Sequence, residues 1–409
     1  MGYSAFLRPN ARFLAFGFLL ALLSSSGQTF LIGLFGDPLR ATFELSNGEF
    51  GLVYSVATVI SGVSLLWLGR IVDRLDLRLV TTGVLLGASA GALMLAAAVH
   101  VVMLAAAFLL LRLCGQGLLM HTAQTTMGRY FSVDRGKAVS VATLGLPSAE
   151  AVLPTAVVAL MAVIGWRGSW LTIAAVLSGF ALPLALYLLR GHSTRRQDLA
   201  VAEQQGEGGD ATAGAVSWRR ADVLCDPRFY GLLPAVMAPP FIMTALFFHQ
   251  DPLADAKGWP LSWVATSFTA FAASHIVALI VAGPLVDRLG VKRLIAGFLA
   301  PMTLALLVIV IMDSPWGAPL YLGLAGLSMG AAGTLMGALW PALYGTAHLG
   351  AIRSLMHSAM VFVTAGAPYG VGGLMDAGVS LIAIVTALAF WNVFAAALAL
   401  VALRGAPVH

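Results

Sequence analysis

The chain is dominated by apolar runs that are long enough to cross a membrane. Apolar residues make up 59% of its 409 residues, only 10% are charged, and the mean hydropathy is +0.91. A helix that crosses the hydrocarbon core needs about 20 apolar residues. The sequence therefore predicts an all-α polytopic membrane protein with 12 transmembrane helices, at about residues 11–36, 50–70, 79–99, 101–128, 138–163, 169–189, 229–250, 262–286, 293–313, 317–344, 353–375 and 380–403.

These runs form two copies of a six-helix unit. The charged turn at residues 69–78 has a near copy at residues 283–293, 214 positions later, and the same offset places Pro154 on Pro368. Self-similarity at a fixed spacing indicates an internal duplication. We therefore predict two pseudo-symmetric six-helix bundles and a flexible cytoplasmic linker, at residues 1–189, 229–409 and 190–228 respectively.

The basic residues orient the helices. Twelve spans place both termini on one side of the membrane, and nineteen of the 23 lysines and arginines fall on that side. Cytoplasmic loops carry the excess of Lys and Arg in membrane proteins. Both termini are therefore predicted to be cytoplasmic. The net charge of +5 follows from this bias, and we expect no nucleic-acid partner.

Several kinds of site are not indicated. The sequence shows no phosphate-binding loop, no hydrolytic triad and no cluster of metal ligands, and it has only two cysteines. We therefore expect a protein that is not an enzyme and that uses no cofactor and no metal.

Two motifs resemble those of a known family. Residues 69–78 and 283–293 resemble the Gly-x-x-x-Asp-Arg-x-x-Arg/Lys signature of the major facilitator superfamily of secondary transporters, and the layout of twelve spans agrees along the whole chain. The resemblance implies alternating access, a small-molecule substrate, function as a monomer, and a place in the bacterial cytoplasmic (inner) membrane.

Shorter stretches suggest a branch of that family. Arg112 and the segment 115–117 are similar to the helix 4 arginine motif of proton-coupled members, and the tripeptides at 165–167 and 248–250 are similar to those of bacterial relatives of monocarboxylate transporters. The resemblance implies proton coupling and a monocarboxylate as a first guess at the substrate.

The resemblance also implies a cytoplasmic gate. In the family geometry Asp73 faces the start of helix 11, and by pseudo-symmetry Asp287 faces the start of helix 5. Contacts of this kind close the cytoplasmic side and break when it opens. The alternative is a pair of solvated turns that only enforce topology. The gating residues implied are Asp73, Arg74, Arg78, Asp287, Arg288, Gly136, Gly350 and Arg353.

Ionisable residues that break the repeat deep in the membrane are candidates for transport chemistry. Arg112, Glu150 and His275 do so, since their counterparts at the 214 offset are Gly326, Thr364 and Ser61. At about 1.5 Å per residue, Arg112 and Glu150 lie roughly 16 and 18 Å from the two faces. Both depths are near the middle of a core about 30 Å thick.

The charges of Arg112 and Glu150 predict a coupling mechanism. A lone charge at that depth costs at least about 2.5 kcal/mol, so the two should face an internal cavity and pair. An organic anion would compete for Arg112, and the displaced Glu150 would take up a proton. This predicts proton-coupled symport of a small organic anion such as a monocarboxylate. The additional residues expected are Gln28, Thr29 and Gln116 for substrate hydrogen bonds and His275 for a second proton.

Other interpretations stay open at this point. Arg112 and Glu150 also fit a structural ion pair, and His275 fits a hydrogen-bonded core histidine. A proton-coupled antiporter exporting drugs or metabolites is the alternative within transport, and a membrane receptor that transports nothing belongs to another class. The charge of the substrate distinguishes symport of an organic anion from proton-coupled antiport.

Overall fold

The structure is a computed structural model that describes residues 3–69, 75–131, 134–191, 218–345 and 348–404. Within these ranges, 11 helices are long and apolar enough to cross a membrane. One of them, Gly136–Leu188, has 53 residues and contains Gly165 at φ 70° and ψ 174°, which is not helical. It therefore holds two of the expected spans, and the prediction of an all-α polytopic protein is confirmed.

The first part of the chain contains ten α-helices among the described residues. They are α1 (Tyr3–Leu23), α2 (Thr29–Gly33), α3 (Gly36–Phe43), α4 (Asn47–Leu68), α5 (Leu77–Ala96), α6 (Val101–Leu110), α7 (Met120–Tyr130), α8 (Arg135–Thr143), α9 (Gly145–Ala175) and α10 (Leu182–Leu188). A 3₁₀ turn, Ser24–Gly27, follows α1, and two π-helical segments, Leu111–Leu119 and Val176–Ala181, precede α7 and α10.

The second part of the chain contains nine α-helices among the described residues. They are α11 (Arg220–Leu224), α12 (Pro227–Phe248), α13 (Gln250–Lys257), α14 (Leu261–Leu289), α15 (Val291–Gly297), α16 (Ala300–Ile311), α17 (Gly317–Tyr344), α18 (Leu349–Asp376) and α19 (Leu381–Ala402). Helices α11 and α12 both begin inside the predicted linker at 190–228, so the described end of that segment is helical. Residues 192–217 lie outside the described ranges.

The chain divides into two compact units. Unit 1 comprises Met1–Pro38 and Val56–Asp210, and unit 2 comprises Leu39–Ser55 and Ala211–His409. Helix α4 therefore begins in unit 2 and ends in unit 1. The loop and first turns of α4 belong with the second part of the chain, which a division by sequence alone places in the first bundle.

Each unit has its own apolar core. In unit 1, Phe16, Leu20, Leu85 and Leu119 are completely buried in one cluster. In unit 2, aromatic rings take this place: the ring centroid of Phe247 lies 5.1 Å from that of Phe268 and 5.3 Å from that of Phe271. Apolar side chains also cover much of the outer surface, as lipid contact requires.

Candidate functional site

The first span is interrupted where three serines follow one another. The hydroxyls of Ser24, Ser25 and Ser26 donate to carbonyls three residues earlier, at 2.7, 2.6 and 2.9 Å. Serine hydroxyls that bond to nearby carbonyls compete with the helical pattern of the main chain. The 3₁₀ turn ends at Gly27, Gln28 is extended at φ −79° and ψ 149°, and a helix resumes only with α2.

This break packs against the π-helical segment Leu111–Leu119 of the fourth span. A Cβ on Gly27 would lie 2.0 Å from the carbonyl oxygen of Leu111, and a Cβ on Gly115 would lie 2.8 Å from the nitrogen of Gly27. Both positions therefore need glycine for the two backbones to approach. Single π turns inside α-helices are frequent at functional sites.

Arg112 joins the two irregular segments. Its Nη1 donates to the carbonyl oxygen of Gly27 at 3.1 Å, and only 6% of the residue is exposed. A continuous helix would direct the Gly27 carbonyl along its own axis, so the break makes this acceptor available to the guanidinium. Arginine stays charged even in such surroundings.

Glu150 is equally buried on a second helix of unit 1. It lies in α9, and 5% of the residue is exposed. Helix α9 packs closely on α1, since a Cβ on Gly145 would lie 2.2 Å from the carbonyl oxygen of Phe18. The sequence-predicted pair, Arg112 and Glu150, thus lies on two helical segments that both pack against the first span.

The predicted hydrogen-bonding residues lie at the same break. Thr29 is buried at the start of α2, while Gln28 and Gln116 are partly buried. The backbone nitrogen of Gln116 would lie 2.5 Å from a Cβ on Gly27, so Gln116 adjoins the break directly. The three predicted hydrogen-bonding residues therefore all belong to the first and fourth spans.

His275 belongs to unit 2, whereas Arg112 and Glu150 belong to unit 1. It is partly buried in α14, and its ring meets the ring of Phe271 edge-on, with 5.6 Å between centroids. A Cβ on Gly330 would lie 2.4 Å from the carbonyl oxygen of His275, so α17 packs tightly on this turn.

The first gating motif is only partly described. Asp73 and Arg74 lie outside the described residues. Arg78 is exposed, and its backbone N–H donates to the side chain of Asp76 at 2.9 Å. Asp76, which we did not single out from the sequence, is therefore the N-cap of α5.

The second gating motif is exposed at the end of its helix. Asp287 and Arg288 are exposed in the last turn of α14. On the predicted opposite side, Gly136 is exposed in the first turn of α8, and the neighbouring Lys137 pairs with Asp134 at 2.7 Å. The predicted contacts of Asp73 and Asp287 with the starts of helices 11 and 5 therefore stay a prediction.

The predicted residues at the start of helix 11 lie in α18. Gly350 is in its first turn. Arg353 is exposed, and its Nη2 approaches the carbonyl oxygen of Gly337 at 3.3 Å. This long hydrogen bond links the start of α18 to α17 inside unit 2.

The segment 165–167 has a structural explanation. Gly165 breaks the helix, Arg167 lies 4.2 Å from the ring centroid of Trp166, and its Nη1 donates to the carbonyls of Ala96 and Ala98 at 2.7 and 2.9 Å. Arg167 thus caps the C-terminal end of α5, where a cation is favourable. Arg167 therefore has a role in the fold.

A polar contact at the start of α4 was not predicted from the sequence. The carboxylate of Asp376 accepts from the hydroxyl of Ser46 at 2.7 Å and from the backbone N–H groups of Asn47 and Gly48 at 3.1 and 2.8 Å. Ser46 and Glu49 also form a reciprocal capping pair. Asp376 thereby ties the first turn of α4 to the end of α18, within unit 2.

His249 is a buried histidine beside this contact. Its Nε2 donates to the carbonyl oxygen of Pro368 at 3.1 Å, and only 3% of the residue is exposed. Burial lowers the pKa of His249 to about 4, and Arg40 contributes in the same direction, whereas the Pro368 carbonyl and Asp376 oppose the shift. His249 is therefore neutral at pH 7.

The described residues contain no group of three or more His, Cys, Asp or Glu side chains that could hold a metal ion. The chemistry that the unit 1 site offers is therefore that of one guanidinium, one carboxyl group and amide and hydroxyl groups.

Comparisons with known proteins agree with this architecture. A family model of the Major Facilitator Superfamily matches residues 17–368. A bacterial homologue of the human lysosomal transporter Spinster, solved in inward-facing unoccupied and occupied conformations, is 14% and 16% identical. The two comparisons cover 96% and 97% of both chains, with TM-scores of 0.65 and 0.66.

The nucleoside transporter NupG is also similar in structure. It is 16% identical, the comparison covers 96% of this chain and 99% of that one, and the TM-score is 0.65. No curated protein matches the sequence. The resemblance to monocarboxylate transporters is not shown by these comparisons.

The family match spans most of the chain and agrees with the helical fold, so the transport class no longer rests on motifs alone. Members of this family are secondary transporters that work by alternating access, and they are not enzymes. The chain belongs to the Major Facilitator Superfamily.

Proposed function

We propose that this transporter couples the movement of a small organic anion, such as a monocarboxylate, to that of a proton in the same direction. The observation that carries the proposal is the burial of two opposite charges, Arg112 and Glu150, on segments that pack against the broken first span. Buried charges inside a membrane are expensive and are kept mainly where they serve function.

Arg112 supplies the anion site. A guanidinium has five N–H donors in a planar fork that fits a carboxylate with two parallel hydrogen bonds. The Gly27 carbonyl engages Nη1 and thereby orients the fork. Gln28, Thr29 and Gln116 offer neutral hydrogen bonds beside it.

Glu150 supplies the proton site. An organic anion that engages Arg112 leaves the Glu150 carboxylate without a balancing charge inside the membrane, and uptake of a proton by Glu150 restores the charge balance. The empty site then holds one positive and one negative charge, and the loaded site holds Arg112, the anion and a neutral Glu150. The net charge of the site is the same in both states, so reorientation of the loaded transporter carries no additional charge into the membrane.

The first test uses purified protein in liposomes with a trapped pH dye. Symport predicts that an external organic anion acidifies the lumen faster than in protein-free vesicles, which correct for unaided diffusion of weak acids. The panel includes monocarboxylates, lipophilic cations and a nucleoside, since the structurally similar NupG is a nucleoside transporter. If none of the anions in the panel accelerates acidification of the lumen, anion coupling is contradicted.

Two variants separate binding from coupling. Arg112→Lys keeps the charge but removes the planar fork, so we expect weaker anion binding. Glu150→Gln should retain exchange of internal for external anion but lose accumulation driven by a proton gradient. Arg220→Gln and Asp255→Asn, at exposed positions, are the matched controls and should transport normally. Accumulation that survives in Glu150→Gln would contradict the coupling role.

The same assay distinguishes the alternative of proton-coupled export. In vesicles with an acidic lumen, an antiporter would alkalinise the interior when external cations are added. His275→Gln tests the second proton site: a proton-to-anion ratio equal to that of the unaltered protein would exclude it. His275 lies in unit 2 and is tested independently of Arg112.

A further inference from the structure

A second basic site lies in unit 1, at the opposite end of the first span from the break. A cavity of about 310 Å³ opens between the start of α1 and the end of α10, and Arg8, Arg12 and Arg190 line it together with Phe13 and Leu188. The lining contains three guanidinium groups and no carboxylate.

Main-chain and ring contacts hold two of these arginines in place. Arg12 donates through Nη2 to the backbone carbonyl of Arg190, and Gly191, at φ 79°, turns the chain directly after it. The guanidinium of Arg190 also lies 5.0 Å from the ring centroid of Tyr187. In the part of the chain that the structure describes, no ion pair joins Arg8, Arg12 or Arg190 to a carboxylate.

Three like charges are brought together in this cavity. Arg8 and Arg12 are four residues apart on α1, so their charges share one helical face, where like charges repel. Arg190 adds a third positive charge to the same cavity. A bound anion would remove this repulsion, and a phosphate suits the forked geometry of arginine.

The cavity lies where the membrane-spanning segments end. The first span begins at Phe6, and the stretch that ends at α10 stops at Leu188. Two exposed apolar side chains lie on the same two helices: Tyr187, whose ring is 5.0 Å from the guanidinium of Arg190, and Leu7, the residue before Arg8 in the chain. A ligand with a phosphate and acyl chains would contact both the arginines and these side chains, whereas free phosphate would contact only the arginines.

The internal repeat provides a natural comparison. The 214 offset places Arg190 on Arg404, which lines a cavity of about 410 Å³ at the corresponding end of unit 2. The same offset places Arg8 on Asp222 and Arg12 on Asp226. In that cavity the guanidinium of Arg228 is paired with Asp226 at 3.0 Å, so the protein supplies its own anion there.

We propose that the cavity lined by Arg8, Arg12 and Arg190 binds the phosphate of an anionic phospholipid. The positive-inside bias predicts that it faces the cytoplasmic leaflet, and basic pockets between helices on that side suit acidic headgroups. The acyl chains lie along the apolar side chains next to the cavity. This site is separate from the break that holds Arg112 and does not depend on the transport chemistry.

The test is thermal unfolding of the purified full-length protein in neutral detergent with added lipid. Phosphatidylglycerol should raise the melting temperature in a saturable way, and phosphatidylcholine should not. Arg8→Gln should lower the apparent affinity for phosphatidylglycerol about fivefold, the factor for one cation near an anionic surface. Arg8 is exposed and makes no hydrogen bond to any other residue that the structure describes, so the variant should fold. Arg404→Gln, in the second cavity, is the matched control and should leave the affinity unchanged.

Two outcomes would overturn the proposal. If Arg8→Gln and the Arg8→Gln/Arg12→Gln double variant both bind the lipid as tightly as the unaltered protein does, the lipid binds elsewhere. A full shift with inorganic phosphate at the same concentration would show a site for small anions and not for lipid. Binding measured by native mass spectrometry should follow the same order of variants, and it reports lipid bound per protein independently of stability.

Discussion

The strongest prediction on stability concerns Asp376, whose carboxylate caps the first turn of α4. Replacing it with asparagine keeps the size of the side chain and one carbonyl oxygen, but removes the charge and one acceptor oxygen. At least one of the bonds from Ser46, Asn47 and Gly48 is then lost. We therefore expect the segment Leu39–Ser55 to be held less firmly to α18.

The magnitude follows from capping energies. Replacing an N-cap side chain typically costs about 1 kcal/mol, and a carboxylate at a helix N-terminus adds about 0.3 to 1 kcal/mol. Asp376 is exposed, so screening by solvent reduces the electrostatic part, and we expect a total of about 1 to 2 kcal/mol. Asp376→Ala, which removes every acceptor, should cost more than Asp376→Asn.

Hydrogen exchange gives the sharpest readout, because the two capped N–H groups are themselves exchangeable. A loss of about 1 to 2 kcal/mol corresponds to about a 5- to 30-fold rise in exchange at Asn47 and Gly48. Asp255→Asn, at an exposed site of the same unit, is the matched control and should leave exchange unchanged. Unaltered protection of Asn47 and Gly48 in Asp376→Ala would refute the reasoning.

Two further predictions concern stability. His249 is neutral when folded and has a pKa of about 4 instead of 6.5, so the unfolded chain binds the extra proton between these values. The free energy of unfolding should therefore rise by about 2 to 3 kcal/mol from pH 4 to 6.5. If His249→Gln shows the same dependence of stability on pH as the unaltered protein, this reasoning is contradicted. Gly27→Ala should prevent the first span from packing on the π-helical segment, because its Cβ would lie 2.0 Å from the carbonyl oxygen of Leu111. Gly83→Ala, with open space around its Cβ, is the control, and equal melting temperatures of the two purified variants would count against this packing.

Length and apolar composition were enough to predict the membrane class and the spans, because the requirement for about 20 apolar residues is local. The charged turns at 69–78 and 283–293 were enough to suggest the family that the comparison then showed. Arg112 and Glu150 stood out because charges in an apolar run are costly, and both are indeed buried. Their transport roles stay predictions.

The reason for the break in the first span and the role of the segment 165–167 could not be predicted from the sequence. The run of three serines and Gly27 was a visible signal of a helix break, but only packing against the fourth span explains why the break is there. The segment 165–167 suggested a transporter branch, whereas Arg167 caps α5 through two carbonyls about 70 residues earlier in the chain. Local sequence does not encode which distant carbonyl a side chain meets.

The number of spans, their duplication and the charge bias could be predicted without coordinates, since these depend on residue type and spacing alone. Three-dimensional packing brings Asp376 to the start of α4, more than 300 residues away, and brings Arg112 to the carbonyl oxygen of Gly27. It also decided which arginines share a cavity. Such contacts depend on how helices pack, and packing is set by the whole chain at once.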